Sequence, residues 1–338
     1  MEQRSVPSRI GTLLVGAGFI AEVHAAAVTA SDRAHLVGIV DTDPGRAAAF
    51  SRSHGAIPHT DDLAEALAWP DVDAVVACTP NHTHLGVGAA VAAAGKHLLV
   101  EKPLATTVAD AQALAAAFAA AGRVLMAAHS HRHHGYGRTV KDAIDAGVIG
   151  SPAHVRLSIL GGWIWTGWDA WAADPVASGG HALHNGVHVL DLATWWLSAD
   201  PVRVYARGRH QTAAELRIND YLEMVVEYAG GEVAVLEMSR AHRPGSFGLR
   251  DLRVVGSAGM ISEDWADEAA FLFTEGGTGL VAAAGVDGFG AQFESWLDTI
   301  GGAPPAMPVS DAVRAVELAV AVEESVSTGR PVELGVAA

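Results

Sequence analysis

The chain has 338 residues, of which half are hydrophobic and 18% are charged, a composition that fills a large core and excludes a disordered protein. Its 38 acidic residues outnumber its 22 lysines and arginines, and the resulting net charge of −16 argues against nucleic acid or a membrane surface as a partner. No apolar run reaches the ~18 residues of a membrane span, and the polar segment 1–9 lacks the apolar core of a signal peptide. The single cysteine cannot form an intrachain disulfide. We therefore expect a cytoplasmic protein.

Short apolar strands alternate with alanine-rich helices over the first 130 residues. The strands are predicted at Ile10–Val15, His35–Val40, Ala74–Ala77, His97–Val100 and Val124–Ala128. The helices between them are predicted at Phe19–Ala30, Asp43–His54, Asp61–Trp69, Thr83–Ala94 and Val108–Ala121. Because such alternation requires right-handed crossovers, residues 1–130 are predicted to form an α/β domain with a doubly wound parallel sheet.

After Gly150 the chain changes to strands in which apolar and polar residues alternate. These are predicted at Ala153–Leu160, Val202–His210, Tyr221–Tyr228, Glu232–Met238 and Leu249–Val255, as antiparallel strands with one buried face. Helices are predicted at His181–Leu197, Phe289–Ile300 and Val309–Ser327, the last beginning at a Ser310 cap. Residues 131–338 are therefore assigned to an α+β domain with an open, mostly antiparallel sheet, whose last segment is a candidate to pack back on the first domain.

A glycine-rich turn, Gly16-Ala17-Gly18-Phe19-Ile20-Ala21, joins the first predicted strand to the first helix. Gly16 permits a tight turn, and Gly18 lets the backbone approach a pyrophosphate held at the helix N-terminus, next to Phe19 and Ile20. The alternative is an ordinary strand–helix turn that binds nothing. The position of the turn directly between a strand and a helix favours a dinucleotide site.

The second strand is followed by Asp41, at about the 20-residue spacing from the glycines that is expected for an acid on an adenosine ribose. The alternative role for Asp41 is to cap the following helix. In the segment Asp41-Thr42-Asp43 the two aspartates place negative charge where a 2′-phosphate would lie, beside Thr42, and no basic residue follows at once. The sequence therefore favours NAD over NADP.

Two further segments follow predicted strands, at the sheet edge where ligands of α/β proteins bind. The segment Thr79-Pro80-Asn81-His82-Thr83-His84 offers Thr79 and Asn81 to a nicotinamide ribose, with His84 beside them; the alternative is a loop that only caps a helix through Thr83. The segment Glu101-Lys102-Pro103-Leu104 places a cation at the same crevice, with Glu101 as a further candidate contact of the cofactor. Lys102 is a candidate to polarise a substrate oxygen, unless it is a surface lysine paired with Glu101.

Three histidines lie in the segment Gly179–Asp191. His184 and His188 are four residues apart, so they share one face of the predicted helix, with Asp191 one turn further on. Histidine exchanges protons near neutral pH and suits a base that takes the proton of an alcohol. The alternative is a packed pair with a structural contact to Asp191. This spacing also occurs in zinc sites, but acidic ligands are lacking apart from Asp191, and we predict no metal.

Taken in order, these motifs resemble the Gfo/Idh/MocA family of NAD(P)-dependent sugar and cyclitol oxidoreductases. The resemblance covers nearly the whole chain, through Gly16–His24, Asp41, Thr79–His84, Glu101–Leu104, Ala146–Pro152, Trp171–Pro175, Gly179–Asp191 and the last helix. It implies a Rossmann domain, a second sheet whose face joins subunits in a dimer or tetramer, and a cis bond before Pro103. It also implies that Lys102 and His188 match the catalytic lysine and histidine.

The chain departs from the family pattern at several positions. His184 stands where the family commonly has aspartate, Ala172 replaces an arginine, and Arg132-His133 replaces Arg-Phe. Without an acid at position 184, we expect a substrate with a different hydroxyl pattern, or a different pH dependence. Arg132 is expected near the substrate, and the role of the histidines from 129 to 134 is left open.

Trp165 and Trp168 belong to a tryptophan-rich, glycine-containing segment that precedes the histidine helix. Their rings are candidates to stack on a sugar, with ordinary core packing as the alternative.

The resemblance predicts NAD-dependent oxidation of a secondary hydroxyl of a sugar, sugar derivative or cyclitol. His188 is the predicted base, Lys102 stabilises the alkoxide, and His184 orients the substrate or tunes His188. The alternatives are transient oxidation during elimination or hydrolysis of a glycoside, and a sugar- or nucleotide-sensing regulator without catalysis.

Overall fold

The structure, a computed structural model, describes residues 9–162, 170–210, 216–242, 247–264, 269–274, 277–282 and 287–335. The strands are β1 (Ile10–Val15), β2 (Ala34–Val40), β3 (His59–Thr60), β4 (Ala74–Ala77), β5 (His97–Glu101), β6 (Leu125–Ala128), β7 (Pro152–Gly162), β8 (Pro201–Arg209), β9 (Tyr221–Tyr228), β10 (Val233–His242), β11 (Gly248–Gly256), β12 (Gly259–Asp264), β13 (Ala269–Thr274), β14 (Gly277–Ala282) and β15 (Val332–Glu333). The α-helices are α1 (Phe19–Ala30), α2 (Pro44–Ser53), α3 (Leu63–Leu67), α4 (His84–Ala93), α5 (Val108–Ala121), α6 (Gly135–Asp145), α7 (Pro175–Ser178), α8 (Val187–Leu197), α9 (Gly288–Ile300) and α10 (Val309–Thr328).

The first six strands form a parallel sheet in the order β3-β2-β1-β4-β5-β6. The strand order reverses between β1 and β4, and ligands of such sheets bind in the crevice beyond the carboxyl ends of the strands at that point. Leu13, Leu14, Val75 and Val76 are fully buried because helices cover both faces of the sheet. The predicted parallel α/β sheet is confirmed, and the short β3 is a strand that the sequence did not predict.

A second sheet has nine strands in the order β14-β13-β12-β11-β7-β10-β9-β8-β15. Its pairings are antiparallel in the described residues, apart from β10 with β7, which is parallel. The antiparallel prediction is therefore wrong for this pair, because the chain returns from β7 to β10 by a long connection that contains α8. The sheet is mostly antiparallel, as predicted, and one of its faces packs against α8 and α10.

Several elements of the second half differ from the sequence prediction. The expected helix 181–197 is π-helical over Ala182–Gly186 before α8 begins. Helix α6 was not predicted, since Gly135 and Gly137 weaken its helix propensity, and β12 to β15 were also left unassigned. Ser310 does not cap α10, which begins directly after Pro308 and has no side-chain cap.

The last helices pack on the first sheet and its helices. Helix α9 contacts α1, and α10 contacts α5 and β6. Arg33, after α1, pairs with Glu294 and Asp298 on α9 at N–O distances of 3.0 and 2.7 Å. Among the described residues, no helix combines the length and the apolar composition needed to cross a bilayer. These contacts place the crevice of the first sheet next to the helix face of the second.

Candidate active site

The glycine-rich turn lies at the reversal point of the parallel sheet. Gly16 has φ +94°, and a Cβ there would lie 2.6 Å from the carbonyl oxygen of Cys78, so the site requires glycine. A Cβ on Gly18 would meet nothing within 4 Å, and no side chain caps α1 at this position. Phe19, the first residue of the helix, is 76% exposed. An open, uncapped helix start of this kind fits the pyrophosphate of a dinucleotide.

Asp41 lies at the end of β2 and joins this turn to the next helix. Its carboxylate accepts hydrogen bonds from the backbone N–H of Ala17 and of Asp43, both at 2.8 Å. Burial by itself would raise the pKa of Asp41, but the hydrogen bonds from Arg46 and from these two amides lower it. The alternative that Asp41 caps α2 is wrong, because Asp43 performs that role.

Arg46 changes the electrostatics expected next to Asp41. Its Nη2 lies 2.8 Å from the Asp41 carboxylate, and more than half of its side chain is exposed. The sequence had indicated that no basic residue follows Asp41 at once. One turn of α2 nevertheless brings this guanidinium back to the end of β2, beside the exposed Thr42.

The Thr79–His84 segment is held by contacts with backbone carbonyls. Asn81 Nδ2 donates to the Ser178 carbonyl at 2.8 Å, and the ring nitrogens of His84 lie 2.8 and 3.0 Å from the carbonyl oxygens of Pro103 and Thr79. Both side chains are buried, and these contacts fix the loops around the crevice. Thr83 does not cap α4 with its hydroxyl, which donates to the Pro80 carbonyl. The contacts of Asn81 and His84 with the cofactor stay a prediction.

Glu101 is buried and supports the lysine that follows it. Its carboxylate accepts from His24 Nε2 at 2.8 Å and from the Lys102 backbone N–H at 3.2 Å. Burial opposes ionisation of Glu101, but the hydrogen bond from His24 and the nearby charges lower its pKa. The Lys102–Pro103 peptide bond is cis, as the resemblance implied. The Glu101 side chain thus supports the lysine, and its contact with the cofactor stays a prediction.

Lys102 reaches from the first sheet to the histidine segment of the second half. Its Nζ donates to the backbone carbonyl of His184 at 2.7 Å. Burial lowers the pKa of Lys102 to about 8, and Arg240 contributes to this lowering, while Glu101 opposes it. The structure therefore brings the predicted lysine to the segment that carries the predicted base.

The three histidines of this segment are buried. Burial lowers the pKa of His184 and of His188 well below the usual value, with further lowering from Lys102, so both rings are neutral at pH 7. His184 lies in the π-helical segment, edge-on to Trp171 at 5.2 Å between ring centroids. His188 lies in α8, and the His131 ring packs against it at 4.1 Å. The predicted common α-helical face is interrupted by the π turn, a feature frequent at functional sites.

Arg132 forms buried ion pairs with two aspartates. Its Nε and Nη2 donate to the two carboxylate oxygens of Asp191, at 2.9 and 2.7 Å, and its Nη1 donates to Asp311 at 2.9 Å. Both Arg132 and Asp191 are 3% exposed. Arg132 is therefore the ion-pair partner of Asp191 and Asp311, and its contact with the substrate stays a prediction.

Several residues of the site were missed by sequence reasoning. His24 holds Glu101, His131 packs on His188 and hydrogen-bonds Tyr136, and Arg240 lies near Lys102. The sequence contained a signal for Arg240. It is a charged residue at a position of β10 where the alternation predicts a buried side chain, and charges are unusual at such positions. Trp165 and Trp168 lie outside the described residues. Among the residues that are described, no three His, Cys, Asp or Glu side chains come together as metal ligands.

Comparison with known proteins agrees with this geometry. Residues 10–129 match the family model described as an oxidoreductase family with an NAD-binding Rossmann fold, and residues 137–262 match the C-terminal domain model of the same family. An inositol 2-dehydrogenase of Rhizobium meliloti is 29% identical over 263 residues, which cover 74% of each chain. An inositol 2-dehydrogenase of Saccharopolyspora erythraea is 29% identical over 97% of each chain.

The whole chain also superimposes on solved structures. The crystal structure of GenD2 from gentamicin A biosynthesis, in complex with NAD, has a TM-score of 0.85, 28% identity and 97% coverage of both chains. Together with the two family models, this shows that the protein belongs to the Gfo/Idh/MocA family of oxidoreductases with an NAD-binding Rossmann fold.

Proposed function

We propose that this protein is an NAD-dependent dehydrogenase that oxidises a secondary hydroxyl of a sugar, sugar derivative or cyclitol. One observation carries the proposal: Lys102 of the first sheet lies 2.7 Å from the carbonyl of His184, in the segment that also presents a neutral His188. The names of the relatives, which include two inositol 2-dehydrogenases, support the substrate class.

The residues of the first sheet fit the coenzyme. Gly16 and Gly18 would hold the pyrophosphate at the start of α1, and Asp41 would accept from the adenosine ribose. The coenzyme held by these residues would supply the acceptor for the hydride of the carbon that bears the hydroxyl.

The proton transfer and the stabilisation of charge are assigned to His188 and Lys102. Because His188 is neutral, it accepts the hydroxyl proton, and the Lys102 ammonium stabilises the negative charge that develops on the oxygen. The carbonyl of His184 fixes the ammonium in place, and the His184 ring borders the substrate.

The pKa values of these two groups predict the pH dependence of kcat/KM. His188 works unprotonated, and its lowered pKa places the acid limb well below pH 6.5. Lys102 works protonated with a pKa of about 8, so kcat/KM is expected to fall as the pH rises through about 8. Lys102→Arg should remove this alkaline limb, because a guanidinium stays charged. Initial rates of NADH formation from pH 5 to 10 measure both limbs.

A matched control is Lys96→Arg, which alters a lysine bonded to the Val72 carbonyl at the opposite end of β5. This variant should keep the wild-type profile. A wild-type kcat/KM that continues to rise through pH 9 would contradict the role of Lys102.

The preference for NAD is expected to depend on one charge. Asp41→Asn removes the carboxylate but retains an acceptor for the Ala17 amide, and it releases Arg46 to meet a 2′-phosphate. The ratio of kcat/KM for NAD to that for NADP should fall by about 10- to 100-fold, the range of a charged hydrogen bond. Adding Arg46→Ala should abolish this gain for NADP. An unchanged ratio in Asp41→Asn would show that the coenzyme preference has another origin.

We also propose that the outer face of the second sheet joins subunits of a homo-oligomer. Tyr205 on β8 and Val225 on β9 are paired neighbours, and each is 38% exposed. Leu249 and Val255 on β11 are exposed to the same degree. Several exposed apolar side chains on one sheet are typical of a surface that another protein chain covers.

A further inference from the structure

One cation in the candidate site is not used by the mechanism. Arg240 follows Ala234, Leu236 and Met238 in the alternation of β10, and those three residues are fully buried on the face that packs against α8. The register between β10 and β7 shifts between Ser239 and His242, and irregularities of this kind redirect side chains near active sites. Arg240 is thereby directed toward the helix that carries His188.

The neighbouring strand is shaped around this side chain. A Cβ on Gly161 of β7 would lie 2.8 Å from Arg240 Nη1 and 3.2 Å from its Cδ. Glycine at this position therefore leaves the space that the Arg240 side chain occupies beside β7. The Arg240 side chain is half-buried, and its Nε is fully enclosed.

The described groups that act electrostatically on Arg240, or on which it acts, are cationic or neutral. It is close enough to lower the pKa of Lys102 and of each histidine at positions 181, 184 and 188. Burial lowers the pKa of Arg240 itself, and among the described residues the opposing effect comes from Tyr136, not from a carboxylate. Its Nε has no hydrogen-bond partner in the described part of the chain. The carboxylate of Glu101, which precedes Lys102 in the chain, is already hydrogen-bonded to His24.

A half-buried guanidinium without an acidic partner is costly unless a ligand supplies the opposite charge. Lys102 is committed to the reacting oxygen in the proposed function, and the three histidines are neutral at pH 7. An uncharged polyol would leave the charge of Arg240 uncompensated. A planar guanidinium matches a carboxylate in a two-point contact. His181, whose buried Nε2 has no partner among the described residues, is a second candidate donor.

We propose that the substrate carries a carboxylate in addition to the hydroxyl that is oxidised, and that Arg240 binds this carboxylate. The inference rests on the proposed function and narrows its substrate class to acidic sugars or polyols of the uronate or aldonate type. Arg240 is then a specificity residue, separate from the proton transfer at His188.

The test compares neutral sugars and cyclitols with the uronate or aldonate of the same configuration, for example D-glucose with D-glucuronate, and includes D-glucose 6-phosphate. The acids should give the higher kcat/KM with NAD. Arg240→Gln should lower the acid-to-neutral ratio by about 10- to 100-fold, and Arg240→Lys should restore part of it. The control Arg253→Gln, which changes an exposed arginine paired with Asp251, should keep the wild-type ratio. Preference for a neutral sugar or for the phosphate overturns the inference.

A binding measurement separates this inference from the proposed function. With NADH-loaded protein, D-glucuronate should raise the Tm of the wild type but not of Arg240→Gln. If this holds while no panel member is oxidised, the dehydrogenase proposal fails and the carboxylate site stands. If neutral sugars are oxidised and no acid depends on Arg240, the dehydrogenase stands and the carboxylate site fails. If neither oxidation nor binding is seen, both fail.

The stability of the ligand-free variant is a further readout. Arg240→Gln should raise the Tm measured without any acid, because it removes an uncompensated charge. A purely structural arginine would give the opposite result, so a lower Tm overturns the inference.

Discussion

His188→Ala and Lys102→Ala are each expected to lower kcat by about 10²- to 10⁴-fold, the usual contribution of a positioned proton acceptor or charge donor. In the proposed mechanism both side chains border the hydroxyl that is oxidised, whereas the pyrophosphate would be held at the glycine turn. The affinity for NADH, measured by fluorescence titration, should therefore stay close to that of the wild type. Stopped-flow and steady-state rates of NADH formation measure the loss.

The design of this experiment includes a double variant and a control. Because the proposed mechanism has the two groups act on the same oxygen, His188→Ala with Lys102→Ala should lose much less than the product of the single effects. His154→Ala changes a histidine of β7 at the opposite end of that strand from Gly161, and it should leave kcat unchanged. Turnover within tenfold of the wild type in either single variant would remove the proposed mechanism.

Arg132→Met is expected to lower the free energy of unfolding by about 3–5 kcal/mol, the usual effect of removing one member of a buried ion pair. The variant leaves the Asp191 carboxylate buried, with His129 at 3.3 Å as its remaining basic neighbour. Urea unfolding followed by tryptophan fluorescence measures the change. KM for the substrate should stay unchanged, because the Arg132 side chain is paired with Asp191 and Asp311.

A matched control and the pH dependence sharpen this prediction. Arg138→Met breaks an exposed pair with Asp142 on α6 and should cost less than about 1 kcal/mol. Burial opposes ionisation of Asp191, but Arg132 and His129 lower its pKa well below the usual value. The stabilisation is therefore present above the ordinary pKa of an aspartate and is lost as the pH falls through the lowered value. If the difference in the free energy of unfolding between wild type and Arg132→Met increases toward pH 3, this assignment is contradicted.

The first half of the fold was predictable because its signals are local. Strand β1, helix α1 and helix α5 have the predicted bounds, since short apolar runs and alanine-rich segments each form their element within one continuous stretch of chain. The parallel pairing of β10 with β7 was not predictable in this way. Alternation of apolar and polar residues shows which face of a strand is buried, but it does not show which strand lies beside it or in which direction.

The same distinction applies to the candidate site. The sequence by itself was enough to propose the glycine turn, Asp41, Lys102 and His188 as site residues, because each is a residue type at a fixed place after a strand or on a helix. Tertiary structure alone decided the partners of charged and polar side chains. Asn81 reaches Ser178, Arg132 reaches Asp191, and Arg240 lies beside β7 at Gly161. The role of a buried polar group depends on the group that forms a hydrogen bond or ion pair with it. Such partners are brought together only when distant segments of the chain pack.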